Sequence, residues 1–389
     1  MNNVIAHLAL LLAPGIGIKT RLAWLKQYGS AENVLGNLNA LPSTTKQSAG
    51  IQALSAIKNK TGSLVPAIKR SLQWAEHDNH HIITLDDPLY PPLLKAITDP
   101  PTLLFVVGDP STLCLPGFAV VGSRKPSPAG KQIAHSLATQ IAQHNFSIVS
   151  GLAYGIDKAA HEGALSAQAT TIGVMATGID QIYPKAHQGL AHAIVNSGGA
   201  LITEHPLGAS PTRAAFPQRN RIIAGLSTGV LIIEAAIKSG SLITARLGLE
   251  CNREVYAVPG SILNPLSKGC HQLIKEGAQL VEGIDDLNLQ QTELVSVITQ
   301  HLCAEIDQTE QSTPTPAPSI HSSNLNILQQ MIGGGQSVDN LVDYCGLPAE
   351  KILQSLMELE LEDYIELQHG AYHLTAEGSQ ALNQITAAT

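Results

Sequence analysis

Six apolar runs between residues 118 and 259 constrain the fold of this chain more than any other feature. Each run is short, rich in β-branched residues and apolar at successive positions, and helical segments separate it from the next. Strands that bury both faces in this way are typical of a largely parallel sheet covered by helices on both sides. The sequence therefore predicts a doubly wound α/β core domain. The predicted strands lie at 118–122, 146–152, 170–177, 200–204, 229–235 and 254–259.

The segment before this core predicts a small, basic, helical domain. Residues 1–75 show short helical patterns around a Pro-Gly-Ile-Gly turn at 14–17, and residues 1–70 carry eight Lys and Arg against one acidic residue. The turn resembles a helix-hairpin-helix connector of the kind found in SAM-like domains, whose backbone amides can hold a phosphate. A Gly-x-Gly connector between packed helices is often only structural, so both roles stay open.

A linker and an acidic module are predicted beyond the core, which we place at residues 80–290. Residues 305–323 are rich in Pro, Ser and Thr, which is typical of an extended linker. Residues 324–389 show three helical segments and two short strands, an order that resembles a winged helix. Residues 319–389 carry one Lys against nine acidic residues, so a phosphate would be repelled. We interpret this module as a protein-contact module, with a solvated acidic face that has no partner as the alternative.

The cysteines and the hydropathy pattern indicate the compartment. Five cysteines, at positions 114, 251, 270, 303 and 345, include no C-x-x-C pair, so neither a disulfide framework nor a zinc site is predicted. The apolar run at 8–13 is too short to span a bilayer and has no basic region before it. We therefore expect a cytoplasmic protein without membrane association.

Glycine, serine and cationic residues follow the predicted strands. Ligands of doubly wound sheets bind beyond the carboxyl ends of the strands, where glycine lets the backbone approach closely. The guanidinium of Arg124 adds a planar fork suited to phosphate. The strand-end residues that we expect to contact a ligand are Gly122, Ser123, Arg124, Lys125, Gly151 and Ser239.

The block Phe-Pro-Gln-Arg-Asn-Arg-Ile-Ile-Ala-Gly at 216–225 predicts a polyanion site at the start of a helix. Its proline suits the first helical turn, which leaves backbone donors free in front. Arg219 and Arg221 add positive charge, Phe216 offers a face to stack a base, and Asn220 offers hydrogen bonds. A single arginine is usually part of a surface ion pair, but three near strand ends favour a pocket for single-stranded nucleic acid.

No cofactor and no metal are predicted. The spacing from Gly122 to the Gly-Lys pair at 130–131 is too long for a P-loop, and Gln132 stands where Ser or Thr would hold magnesium. The dinucleotide fingerprint is absent after the first core strand.

Asp157 and His161 are four residues apart near the start of a predicted helix. They suggest either a metal pair or, as we favour, a carboxylate at the helix N-terminus that also orients the histidine.

Several long motifs resemble the DNA-processing protein A (DprA/Smf) family across residues 82–288. They are Tyr-Pro-Pro-Leu-Leu at 90–94, Val-Gly-Ser-Arg at 121–124, Ser-Gly-Leu-Ala-Tyr-Gly-Ile-Asp at 150–157 with Ala-His at 160–161, Phe-Pro-Gln-Arg-Asn-Arg-Ile-Ile-Ala-Gly-Leu-Ser at 216–227, Ser-Gly-Ser-Leu-Ile-Thr-Ala at 239–245, Val-Pro-Gly-Ser at 258–261 and Leu-Ile-Lys-Glu-Gly-Ala at 273–278.

The resemblance implies a Rossmann-like core that binds single-stranded DNA, forms homodimers and helps to load the RecA recombinase during natural transformation. It implies a binding protein without a catalytic role. At matching positions, the implied DNA contacts are Gly122, Ser123, Arg124, Phe216, Asn220 and Arg221, with Arg213 as a basic neighbour. The segment that contains Leu273, Ile274 and Leu280 resembles a dimer contact.

Two other functions stay open at the level of the sequence. Rossmann-like enzymes that hydrolyse nucleotides use the same crevice, but their Pro-Gly-Gly-x-Gly-Thr loop is replaced by Ser-Gly-Ser-Leu-Ile-Thr at 239–244. A scaffold with a vestigial groove would act through the acidic C-terminal module instead.

Overall fold

The chain folds into two compact units, one within residues 1–305 and the other within residues 306–389. The computed structural model describes residues 3–41, 45–58 and 61–289 of the first unit. In the second unit it describes residues 327–328, 330–331, 335–345, 348, 351–352, 355–356, 359–360, 364–368 and 371–375. The linker predicted at 305–323 lies outside the described residues.

A nine-stranded mixed sheet forms the centre of the first unit. Its strands lie in the order β1-β2-β6-β5-β4-β3-β7-β8-β9, and the seven from β6 to β9 run parallel to one another. The six predicted strands are all present in this parallel part, so the mostly parallel, doubly wound core is confirmed. The strands are β1 (His80–Thr84), β2 (Leu103–Gly108), β3 (Gly117–Val121), β4 (Ser147–Ser150), β5 (Thr171–Val174), β6 (Ala200–Thr203), β7 (Ser227–Ile232), β8 (Glu254–Ala257) and β9 (Gln279–Leu280).

Three strands were not foreseen from the sequence. β1 and β2 extend the sheet as an antiparallel pair, and β2 also runs antiparallel to β6. β9 adds a two-residue strand beside β8 at the opposite edge of the described sheet. The parallel core therefore carries an antiparallel extension on one side.

Alternate residues of the parallel strands enter two apolar cores on opposite faces. Phe118 of β3 packs with the helices Pro128–Gln143 and Ile156–Ser166 on one face, while Ala119 packs towards the helices Ala215–Gly225 and Lys268–Lys275 on the other. This alternation explains why each strand reads as continuously apolar. The helices of the first unit are α1 (Asn3–Leu12), α2 (Ile18–Tyr28), α3 (Ala31–Gly36), α4 (Thr45–Lys58), α5 (Val65–Trp74), α6 (Pro92–Lys95), α7 (Pro128–Gln143), α8 (Ile156–Ser166), α9 (Gln188–Asn196), α10 (Ala215–Gly225), α11 (Gly240–Glu250) and α12 (Lys268–Lys275).

The N-terminal helices α1 to α5 share a core with the sheet. Trp24 and Leu54 of these helices belong to the same buried cluster as Phe105 of β2 and Leu201 of β6. Trp74, the last residue of α5, meets the edge of Phe105 with ring centroids 5.6 Å apart. The small helical segment predicted at 1–75 is therefore present, and it is packed as part of the first unit.

The second unit has a small apolar core of its own. It contains α13 (Val338–Cys345) and an antiparallel pair, β10 (Ile365–Gln368) with β11 (Ala371–Leu374). Ile327, Leu341 and Leu356 are fully buried in this core. No helix among the described residues is long and apolar enough to cross a membrane.

Candidate nucleic-acid interface

A cavity of about 790 Å³ lies beyond the carboxyl ends of β3 and β7. The chain runs from β3 outward to β4, β5 and β6 on one side, and from β7 outward to β8 and β9 on the other. The two strands thus flank the point at which the strand order reverses, which is where doubly wound sheets bind ligands. The predicted site residues that line this pocket are Gly122, Ser123, Arg124, Lys125, Arg213, Phe216, Arg219, Asn220 and Ser239.

The loop after β3 is held by its backbone. The amide of Ser123 donates to the carbonyl of Glu234 at 2.7 Å, and the carbonyl of Ser123 accepts from the amide of Ile156 at 3.1 Å. A Cβ at Gly122 would stand 2.7 Å from the Ile156 side chain, so no larger residue fits there. The loop is fixed on its inner side, while Arg124 and Lys125 are exposed at its tip.

An aromatic and cationic cluster forms the rim of the pocket. The guanidinium carbon of Arg124 lies 4.9 Å from the ring centroid of Phe216, within the range of a cation–π contact. The ring of Tyr183 stands 5.9 Å from that of Phe216, and Tyr183 is 48% exposed. We call Arg124, Phe216 and Tyr183 the stacking rim. Tyr183 was not predicted, and Lys238 also lines the pocket without having been foreseen.

Arg219 forms the buried floor of the pocket. The residue is 4% exposed, and its Nη1 donates to the carbonyls of Gly151 and Val174, at the ends of β4 and β5. Its Nε donates to the side-chain oxygen of Asn220 at 3.2 Å. Burial lowers the pKa of Arg219 to about 10, and the charge of the nearby Asp157 opposes that change.

Gly151 lies behind this floor and does not line the pocket. A Cβ at Gly151 would stand 2.5 Å from Nη1 of Arg219. The absence of a side chain at Gly151 therefore makes room for the guanidinium. Position 151 is thus a glycine because a side chain there would collide with the guanidinium of Arg219, and not because a ligand approaches the backbone.

Arg221 does not line the pocket either, although we had expected it to contact DNA. Its side chain is 8% exposed, and its guanidinium is ion-paired with Asp99 at 3.2 Å and with Glu204 at 2.6 Å. Residues two apart on a helix with 3.6 residues per turn project about 200° apart. Arg219 and Arg221 therefore cannot both face one pocket.

Glu234 occupies the N-terminus of α7 beside the pocket. One carboxylate oxygen accepts from the amide of Ser127 at 2.8 Å and the other from its hydroxyl at 2.7 Å. A Cβ at Gly130 would stand 2.6 Å from the carboxylate. A helix N-terminus after the first parallel strand is the usual site of a nucleotide phosphate. In this chain an internal anion already fills that position.

Ser239 caps the helix that closes the other side of the pocket. Its hydroxyl accepts from the amide of Ser241 at 3.2 Å at the start of α11. The hydroxyl of Ser241 in turn donates to the carbonyl of Gly122 at 2.8 Å. This pair of contacts connects α11 to the loop after β3.

Asp157 and His161 do not form the arrangement that we favoured from the sequence. His161 is fully buried, and Nδ1 donates to the hydroxyl of Thr171 at 2.7 Å, because that hydroxyl donates to the carbonyl of Ile148. Thr171, and not Asp157, thus orients the ring, and burial lowers the pKa of His161 to about 3. The Asp157 carboxylate accepts from the amide of Ala153 at 3.3 Å, and burial raises its pKa.

The described residues contain no group of three or more His, Cys, Asp and Glu side chains that could hold a metal ion. Among those that line the pocket, Asp157 carries the one carboxylate, and it is buried close to Arg219. The exposed charges of the lining are cationic. They belong to Arg124, Lys125, Arg213 and Lys238.

Fold and site together define a doubly wound α/β protein with a cationic, aromatic-rimmed pocket at the switch point of its sheet. Residues 81–291 match the family described as DNA recombination-mediator protein A, and residues 311–371 match the DprA winged helix domain. The chain belongs to the DNA recombination-mediator protein A family. The family resemblance and the predicted fold class, including the C-terminal winged helix, are confirmed.

The chain is similar to known proteins in sequence and in structure. The chain is 40% identical over 309 residues to Protein Smf of Escherichia coli K12, which covers 79% of this chain and 80% of that protein. It is 47% identical over 201 residues to the DNA processing protein DprA of Streptococcus pneumoniae, which covers 52% of this chain and 71% of the relative. The X-ray structure of DNA processing protein A (DprA) from Streptococcus pneumoniae aligns with a TM-score of 0.63 and 35% identity, over 75% of this chain and 98% of that one.

Substituting two of the three arginines that line the pocket, Arg219 and Arg124, separates the role of a buried arginine from that of an exposed one. Arg219→Ala leaves the buried carbonyls of Gly151 and Val174 without their donor and removes the charge close to the buried Asp157, so we expect the free energy of unfolding to fall by about 3–5 kcal/mol. Arg124→Ala removes an exposed side chain and should change it by less than about 1 kcal/mol. Urea unfolding of the full chain, followed by circular dichroism, measures both. Equal losses in the two variants would contradict the buried role of Arg219.

Proposed function

We propose that this protein is a non-catalytic mediator of recombination that binds single-stranded DNA in the pocket at the switch point. The observation that carries the proposal is the stacking rim, in which an exposed guanidinium lies against an aromatic ring beside a second, half-exposed ring. Such a rim combines a phosphate-binding charge with flat faces for bases. The names of its relatives, which include DNA processing protein DprA, agree with a role in DNA processing.

The charge distribution favours a polyanion in spite of the acidic chain. The formal net charge is −8, but the four exposed charged side chains in the pocket lining are all cationic. Local potential, and not net charge, steers a charged ligand to a cleft. Binding of DNA should therefore be weakened by salt, since each phosphate that is neutralised releases counterions.

The stacking rim favours single strands over duplex. Phe216 and Tyr183 can stack only on bases whose faces are exposed, whereas duplex bases are already stacked on each other. Stacking and backbone contacts do not depend on the identity of the base. The proposed site therefore accepts single strands of any sequence.

The pocket gives little support to the rival, a nucleotide-hydrolysing enzyme. The carboxylate of Asp157, which is the one acid of the described lining, is buried close to Arg219. The α7 N-terminus that would take a nucleotide phosphate is occupied by Glu234. These two contacts favour a binding function without hydrolysis.

Titration of labelled DNA tests the proposal directly. We expect the native chain to prefer single-stranded over duplex DNA, and Arg124→Ala to weaken single-strand binding tenfold or more, equivalent to about 1.4 kcal/mol. The matched control is Arg246→Ala, which removes an exposed arginine of α11 outside the pocket lining. Fluorescence anisotropy across a salt series measures the binding. Equal weakening by both substitutions, or no preference for single strands, would rule out this pocket as the DNA site.

We further propose that the bound strand is passed to the RecA recombinase during natural transformation, a role that rests on membership of the family. In this scheme the protein protects incoming DNA and then assists assembly of the RecA filament. We expect the native chain to speed assembly on single strands, and Arg124→Ala to lose this effect together with DNA binding. The DNA-dependent ATP hydrolysis of RecA measures assembly. A full effect of the Arg124→Ala protein would separate RecA loading from this pocket.

A homodimer through the β9 edge is the arrangement that we propose for the assembled protein. Leu280 of β9 is 41% exposed at the edge of the described sheet. Ile274 of α12 lies six residues earlier in the sequence and is partly buried against the core. Leu273 is 8% exposed and packs into the core, so its side chain is not available for a contact with a second subunit. Two pockets in one dimer would raise the affinity for long strands by effective concentration.

The dimer is tested by Leu280→Arg, with Leu249→Arg as the control because Leu249 is an exposed leucine of α11. We expect Leu280→Arg alone to give monomers in analytical ultracentrifugation. Its binding of long single strands should weaken about 100-fold, while binding of a short oligonucleotide stays unchanged. A dimeric Leu280→Arg protein would show that the subunits meet elsewhere.

The acidic module of the second unit is proposed to contact a protein partner. Glu360 is exposed, as is Lys351, while Glu350, Glu358, Glu362 and Asp363 lie outside the described residues. The excess of acid disfavours a second DNA-binding surface in this module.

A cytoplasmic location is proposed for the protein because RecA and incoming DNA meet there.

A further inference from the structure

Two apolar side chains of the loop after β8 are left in solvent. Ile262 is 79% exposed and Leu263 is 86% exposed, the largest values for any large apolar residue that the structure describes. The two are consecutive, so the exposed apolar surface is concentrated in one short segment. Apolar surface that is exposed in one place marks an interaction site more often than a single apolar side chain does. The proposed function gives no role to this segment, which we call the β8 loop (residues 258–267).

Hydrogen bonds within the β8 loop fix its shape. The amide of Leu263 donates to the hydroxyl of Ser261 at 3.2 Å, and the amide of Asn264 donates to the carbonyl of Ser261 at 3.0 Å. The side-chain oxygen of Asn264 accepts from the amide of Leu266 at 3.0 Å, and its carbonyl accepts from the amide of Ser267 at 3.0 Å. The exposed side chains are therefore presented by a preorganised loop, which lowers the entropic cost of binding a ligand there.

The β8 loop is also bonded to the wall of the pocket at the switch point. The side-chain amide of Asn264 donates to the carboxylate of Glu234 at 3.3 Å, and the amide of Ala235 donates to the carbonyl of Leu266 at 2.7 Å. Leu266 itself lines the pocket. β8 runs parallel to β7, and neighbouring strands of a sheet lie roughly 4.8 Å apart. The β8 loop therefore lies directly beside the pocket, at the same edge of the sheet.

The exposed charges on both sides of the β8 loop are cationic. Residues 255–275 include two lysines and no acidic residue, and Lys268 is exposed directly after the loop. Lys238, which follows β7, is exposed and lines the pocket. Glu234, the carboxylate that the loop contacts, is 7% exposed and is already bonded to Ser127. A ligand that fits this surface has apolar faces and negative charge, and unpaired DNA has both in its bases and its phosphates.

We infer that Ile262 and Leu263 pack against the bases of the single strand where it leaves the pocket over the end of β8. The stacking rim and the cationic side chains hold the strand in the pocket, and the β8 loop adds an apolar contact to the bases that follow. Apolar side chains can pack on the face of any unstacked base. The strand thus takes a path from the stacking rim across the end of β7 to β8. The inference rests on the proposed function, because the strand reaches the loop through the pocket.

Matched serine substitutions test the role of the β8 loop. Leu263→Ser removes an exposed leucine from the loop, and Leu249→Ser removes one from α11 outside the pocket lining. Both side chains are exposed, so urea unfolding should show little change in the stability of either variant. Leu263→Met keeps an apolar side chain in the loop.

Binding is measured by fluorescence anisotropy across a salt series with two strands of about 16 nucleotides. One is oligothymidine. The other keeps thymine at about four central positions and carries abasic sites on both sides, so it can fill the pocket but brings no base to the β8 loop.

We expect Leu263→Ser to weaken binding of oligothymidine about fivefold, as loss of a partly buried apolar contact would. The slope of log K against log salt should stay unchanged, because no phosphate contact is lost. The strand with abasic sites should bind the native chain and Leu263→Ser equally. Leu263→Met and Leu249→Ser should match the native chain with both strands.

Native affinity of Leu263→Ser for oligothymidine would overturn the base contact and would indicate that the loop meets a protein. Equal weakening with both strands would overturn it too, and so would a change in the sedimentation of Leu263→Ser, which would indicate a second copy of the chain at the loop. The proposed function would survive these results if Arg124→Ala still weakened binding, whereas a native chain that binds neither strand would overturn both.

Discussion

The buried guanidinium of Arg219 is the contact on which the geometry of the pocket depends. It joins the ends of β4 and β5 to α10, because its donors reach the carbonyls of Gly151 and Val174. α10 also carries Phe216 and Asn220, which lie three residues before and one residue after Arg219 and face the pocket. Fixing Arg219 therefore fixes the height and rotation of the helix that presents the aromatic ring. The charge is costly to bury, and the nearby carboxylate of Asp157 together with the two strand-end carbonyls offsets that cost.

The charges of the first unit divide into those that hold the protein together and those that remain for a ligand. Arg219 and Arg221 belong to the first group, since both are buried and bonded within the chain. Arg124 and Lys125 belong to the second, because the loop after β3 is held by its backbone and leaves both side chains exposed. A chain with a net negative charge can thus present a cationic cleft.

The sequence predicted the central sheet well because strands that bury both faces leave a continuous apolar signature. The edge strand β1 begins with two partly exposed histidines and has no such signature, so it was missed. The same limit applies to the site. The arginines of α10 were recognised as important, but nothing in their spacing shows which one turns inward beneath the pocket. Tyr183 lies between β5 and α9 outside any helix or strand, and no periodicity placed it on the stacking rim.

The position of Glu234 affects whether free nucleotides can bind at the N-terminus of α7. Cells hold nucleotides at concentrations far above those of any single DNA strand, and a doubly wound sheet with an open helix N-terminus would be filled by them. The carboxylate of Glu234 is tethered at that N-terminus and is held by three donors, namely the amide and hydroxyl of Ser127 and the side chain of Asn264. A tethered carboxylate stays at the helix N-terminus at any concentration of free nucleotide, so a nucleotide phosphate finds that position filled. The proposed DNA site beside it thus stays available to a strand even where free nucleotides are abundant.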